Sequence, residues 1–177
     1  MSHNIDFSLD RAITGSQLLA GSGRLGRVEW LTKNLPENDL YFLQDGEFSH
    51  LLLTDLLETF VGGQFIATII LGFSFIERTI AGRLDYMGEN GPAKEKWRSD
   101  KLLKVALCKE WLTVEEHSNL IRLGKLRNPI VHFHDLLAET RPEVKAELSA
   151  KTTAQMLESD AKQMLAAAIH VLKKTSL

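Results

Sequence analysis

With 177 residues, 44% of them hydrophobic and 25% charged, the chain has the size and balance of one globular domain able to close a core without disulfides or structural metals. A net charge of −2 excludes a broadly basic nucleic-acid coat and leaves only a local basic patch for that work. Cys108 is the only cysteine, so no intramolecular disulfide can form, which fits a reducing, cytoplasmic setting.

Residues 1 to 23 are polar, end in Gly21-Ser22-Gly23 and lack the basic-then-apolar order of a signal peptide. They read as a loosely held arm with a short helix over Leu9 to Leu19. Arg24 to Asn34 predicts a second short helix, stopped ahead of Pro36. Glu47 to Phe60 carries Leu51, Leu52, Leu56 and Phe60 near helical spacing, and Gly62-Gly63 ends it. Gln64 to Met87 is the clearest helix, with Ile66, Ile70, Phe73, Ile80, Leu84 and Met87 recurring every three or four residues and Gly88 as a C-cap. The uncharged run Thr59 to Ile76 is just long enough to test as a membrane span. Its glycines, Gln64 and the flanking Glu58 and Glu77 favour a helix end followed by a buried central helix, with no membrane involved.

A polar loop over Glu89 to Arg98 follows. Ser99 predicts the N-cap of a helix reaching about Lys109, with Cys108 as a buried, inert thiol. Thr113 and Glu116 have capping-box spacing and start a helix to about Leu126. Asn128-Pro129 then reads as the N-cap and first residue of a new helix that carries His132 in its first turns and ends near Arg141-Pro142. Pro142 to Ser149 predicts a short helix. Thr153 to Lys174 predicts a long one that buries Leu157, Ala161, Met164, Leu165, Ala168 and Leu172. The expected fold is therefore all-α: an up-and-down helical bundle of four to five core helices over residues 45–177, with residues 1–44 as an N-terminal extension.

Two places invite chemistry. Glu77 stands on the apolar stripe of the central helix, where a carboxylate must be paired, protonated or facing a cleft. Arg122, Lys125 and Arg127 approach a helix end, and His132 and His134 follow the Asn128-Pro129 break. A helix start offers free N–H groups to an anion. Arg127 adds a forked, permanently charged donor for phosphate oxygens, and His132 moves protons near neutral pH. The same residues also read plainly as a surface cation, a cap and a packing histidine. His132 and His134, two apart, point to different faces of a helix and make a poor metal pair. No phosphate-binding Gly-rich loop occurs, and Trp30, Trp97 and Trp111 are too dispersed to form a base-stacking platform. No cofactor or metal is expected.

The run Arg127-Asn128-Pro129-Ile130-Val131-His132 resembles the signature of the HEPN superfamily, the higher eukaryote and prokaryote nucleotide-binding helical domains. That signature is an Arg followed a few residues later by a His, often with a polar residue directly after the Arg. Gln64 to Leu84 with its embedded Glu77 resembles the family's long helix with an acidic residue, and Lys109 to Thr113 resembles the usual approach to the motif. The resemblance covers about Glu47 to Leu172. It implies a homodimer with the two motifs facing each other and, for active members, metal-independent endoribonuclease activity. The products would be a 2′,3′-cyclic phosphate and a 5′-hydroxyl. It implies His132 as the acid/base, Arg127 on the scissile phosphate, Asn128 orienting it, and Glu77 positioning Arg127 or His132; Arg122, Lys125 and His134 are expected to bind RNA. Active members include toxins and defence effectors with cognate antitoxins. A non-catalytic helical interaction or regulatory module is the alternative, and a subunit pairing with a nucleotidyltransferase is a third.

Overall fold

The computed structural model describes residues 23–35, 43, 46–88, 98–132, 139 and 141–175. Among them are seven helices and no strand, an all-α bundle. The helix expected over Leu9 to Leu19 lies outside the described residues. The helices are α1 (residues 23–34), α2 (Glu47–Val61), α3 (Phe65–Tyr86), α4 (Ser99–Cys108), α5 (Val114–Val131), α6 (Pro142–Leu148) and α7 (Thr153–Thr175).

α3 is the axis of the fold. It is buried on more than one side, through Ile69, Gly72, Phe73, Phe75, Ile76, Ile80 and Leu84, and touches α2, α4, α5 and α7. The expected stripe is right in its middle, but Ile66 and Met87 at its ends are half exposed; Ile66 opens onto a shallow pocket beside Ala154 and Leu157 of α7, and Met87 is the C-cap rather than a helical residue. α3 alone among the described helices is long and apolar enough to cross a bilayer, and half of its most apolar window is buried within the bundle.

α2 folds back on α3 through a tight turn in which Gly63 takes a φ of +76°, a conformation that costs glycine little. α7 runs parallel to α3: Gly72 abuts Met164, and eleven residues on Arg83 Nη1 donates to the Lys174 carbonyl at 2.7 Å. A Cβ at Gly72 would lie 2.7 Å from Met164 Cγ, so the missing side chain lets the two helices approach. α5 runs the other way, with Trp111 under the Arg83 guanidinium and Gly124 against the Phe73 ring.

Capping residues set the helix starts. Thr113 and Glu116 form the expected capping box, at 2.7 and 3.2 Å. A second one, Thr152 with Gln155, opens α7 at 2.9 and 3.2 Å. Ser99 departs from expectation. The N-cap of α4 is Arg98, and Ser99 is the first helical residue, its hydroxyl turned to a partner on α3. Cys108 departs too, being exposed. α4 buries one face through Leu102, Leu103 and Ala106, and Cys108 falls off that stripe.

α1 docks onto the bundle. Leu31 is buried, the Trp30 ring lies 5.3 Å from that of Phe60, and Arg27, only 5% exposed, donates from Nε to the Val61 carbonyl at 3.1 Å.

The main correction concerns α5. It does not stop at Arg127 and restart at Pro129; it runs unbroken to Val131 with Pro129 inside it. His132 is its C-cap, in an extended conformation, and its N–H donates to the Asn128 carbonyl at 2.8 Å. Proline removes one hydrogen bond, to the carbonyl four residues back. One turn from the helix end, that loss is outweighed by continued packing of Leu126 and Ile130 against the core. Pro129→Ala is therefore expected to stabilise the protein by about 1–3 kcal/mol, read as a higher urea midpoint. A proline serving as the first residue of a new helix would give no gain or a loss on the same substitution.

Candidate functional site

Arg127 and Asn128 sit in the last turns of α5 and face the start of α4. With Lys125 they line one side of a cleft of about 180 Å³, and Ser99 and Asp100 line the other. Phe73 of α3 forms the floor. The Arg127 guanidinium carbon lies 5.8 Å from the centroid of that ring, and its Nε is buried without a hydrogen-bond partner. Phe73 can occupy this place because Gly124 leaves room; a Cβ there would sit 2.9 Å from the Phe73 ring.

Glu77 approaches the cleft from behind, accepting a hydrogen bond at Oε1 from Ser99 Oγ. It was expected to position Arg127 or His132. Among the described residues, no hydrogen bond or ion pair joins it to either. Glu77 and Arg127 are instead brought to one cleft through Ser99, the residue expected to cap α4.

The continuity of α5 relocates the other predicted residues. His132 lies five residues beyond Arg127, a rotation of roughly 140° along a helix. Its side chain is exposed and does not line the cleft. The helix start expected at Pro129, with free amides for an anion, is absent; the helix N-terminus at this cleft belongs to α4, whose first residues are Ser99 and Asp100. Lys125 is exposed beside Arg127. Arg122 is not with them. Its Nη2 donates to Asn119 Oδ1 and to Gln163 Oε1, both at 2.9 Å, and it lines a separate groove between α5 and α7. His134 lies outside the described residues. Among the described residues no group of three or more His, Cys, Asp or Glu is placed to hold a metal.

That second groove, of about 310 Å³, has a largely apolar floor and an ionic end. There Glu116 meets His170 Nε2 at 2.6 Å and Lys174 Nζ at 2.7 Å. Burial alone would raise the Glu116 carboxyl, but the bonds from Lys174, the Thr113 amide and His170 outweigh it and hold it at about 2. A carboxylate depressed in the fold contributes stability above its unfolded value, and that stability is lost as pH falls through the folded one. The contribution of Glu116 is therefore expected to fade between about pH 4.5 and pH 2. Glu116→Gln keeps the capping box, which accepts either residue, and removes the charge. It should cost about 1 kcal/mol at neutral pH and flatten the acid limb of a stability–pH curve; an unchanged acid limb would remove Glu116 from this role. The buried Asp160 shows the opposite balance. Burial pushes its carboxyl up, against Lys145, Arg122 and Lys151.

Comparison of the chain with models of protein families, with curated proteins and with solved structures gives no match in any of the three.

Proposed function

We propose that this protein is a metal-independent endoribonuclease of the HEPN type, acting as a homodimer in the cytoplasm as a toxin or defence effector. The observation that supports this reading best is the Arg127 side chain: a buried guanidinium nitrogen without an acceptor, in a cleft shared with Lys125, Asn128 and Ser99. A buried donor left unpaired is costly, and a phosphate oxygen that draws the guanidinium towards the cleft would satisfy it. In the reaction, the ribose 2′-oxygen attacks phosphorus while its proton passes to a base. The bond from phosphorus to the 5′-oxygen breaks, and an acid protonates that oxygen. Arg127 stabilises the charge gathered on the phosphoryl oxygens, Asn128 and Lys125 orient it, and His132 carries the proton transfer. Because His132 projects from the end of α5 outside the cleft of its own chain, a second copy facing this one across a two-fold axis supplies it. A cognate antitoxin protein is a further expected partner.

The test is cleavage of single-stranded RNA in EDTA, with 2′,3′-cyclic phosphate ends as product. Activity should fall by at least about 100-fold in Arg127→Ala and in His132→Ala, and cleavage at close to the wild-type rate in either variant removes that residue from the mechanism. The placement of His132 outside the cleft also supports a second reading, a non-catalytic helical interaction module. On that reading the wild-type protein cleaves no RNA, and both variants behave like it.

A further inference from the structure

We propose that Ser99 recognises the ribose 2′-hydroxyl, as an acceptor held in place by Glu77, so that the cleft selects a ribonucleotide over its 2′-deoxy counterpart. The inference rests on the reading of this cleft as an RNA site and adds to it a residue that selects the sugar.

The side chains of the cleft divide by what they can donate and accept. Arg127 and Lys125 have only donors, suited to phosphate oxygens. A ribose 2′-hydroxyl beside that phosphate needs an acceptor. Two side chains on the opposite wall offer one, Ser99 and Asp100. The Asp100 carboxylate is largely exposed and lies 3.4 Å from Arg98 Nε, so it is drawn towards solvent. Ser99 is partly buried, and its hydrogen is committed to Glu77 Oε1. A hydroxyl whose hydrogen is taken presents only lone pairs to its other neighbours. Glu77 does not line the cleft itself, so it acts through Ser99, as a positioning residue. This also accounts for a carboxylate on the inner side of α3: it fixes which way a serine on the next helix points.

The ligands for the test are adenosine and uridine 3′-monophosphate, which carry the 2′-hydroxyl and the phosphate but no bond to a 5′-oxygen that could break. Their 2′-deoxy and 2′-fluoro analogues are compared by NMR titration of the full chain. Wild-type protein should bind the ribonucleotides about 5- to 10-fold more tightly than either analogue, the scale of one net hydrogen bond. Ser99→Ala should bind all of them alike at the weaker level, Ser99→Thr should restore the preference, and Glu77→Gln should reduce it, because an amide can donate to Ser99 and free its hydrogen. Arg127→Ala should weaken every ligand equally.

Equal binding of ribo and deoxy ligands by the wild type, or an undiminished preference in a folded Ser99→Ala, overturns the proposal. If that happens while RNA is still cleaved, the ribonuclease reading survives alone. A Ser99-dependent preference in a protein that cleaves no RNA upholds the proposal and removes the nuclease reading. Failure to bind any of the ligands overturns the proposal.

Discussion

Arg127→Ala should slow RNA cleavage by about 10²–10³-fold, the cost of removing one preorganised donor to developing charge. The loss should fall on kcat more than on KM, because charge gathers on the phosphoryl oxygens in the transition state rather than in the bound substrate. Arg127→Lys should recover only part of the rate. An ammonium keeps the charge but not the planar fork, and it would lie differently over the Phe73 ring that now backs the guanidinium. The same variant tests how the site is assembled. Mixing Arg127→Ala with His132→Ala protein under conditions of subunit exchange should restore roughly a quarter of wild-type activity, since half the dimers are mixed and each has one intact composite site. No recovery on mixing, with both single variants inactive, would place the two residues in the same chain's site.

Phe73→Ala should cost about 3–5 kcal/mol, the usual range for emptying a buried phenyl ring. That is a large part of the stability of a domain this size, and it should appear as a lower urea midpoint with an unchanged slope. Phe73 is only 3% exposed and serves two ends at once. Its ring fills the space that Gly124 leaves open, which joins α3 to α5, and it forms the floor under Arg127. Phe73→Leu, which keeps most of the volume, should lose less than about 1.5 kcal/mol. A loss below about 1 kcal/mol for the alanine variant would mean that the ring is not the contact between the two helices.

The site shows where one-dimensional reading works and where it stops. Glu77 was legible as an anomaly, because a carboxylate on an apolar stripe breaks a local rule. Its partner was not, because Ser99 stands 22 residues away on another helix and a serine before a helical run reads by default as a cap. Arg127 was legible as a candidate phosphate ligand, while its seat over Phe73 was not, since that contact joins α5 to α3 through the absence of a side chain at Gly124. Cys108 could have been placed by pattern. Leu102, Leu103 and Ala106 define the buried face of α4, and Cys108 lies off it.

The run from Arg127 to His132 marks the boundary most clearly. Helical periodicity, the Thr113 capping box and the Gly62-Gly63 break depend on residues within a turn or two of each other, so the string of amino acids suffices to place the bounds of α2, α3, α6 and α7 to within a residue or two. Whether the chain turns at Asn128-Pro129 depends on a competition that local rules do not contain. Proline withdraws one hydrogen bond near a helix end, and the packing of Leu126 and Ile130 against the other helices resists a turn there. Packing prevails, α5 continues to Val131, and the rotation it imposes carries His132 away from the cleft that holds Arg127.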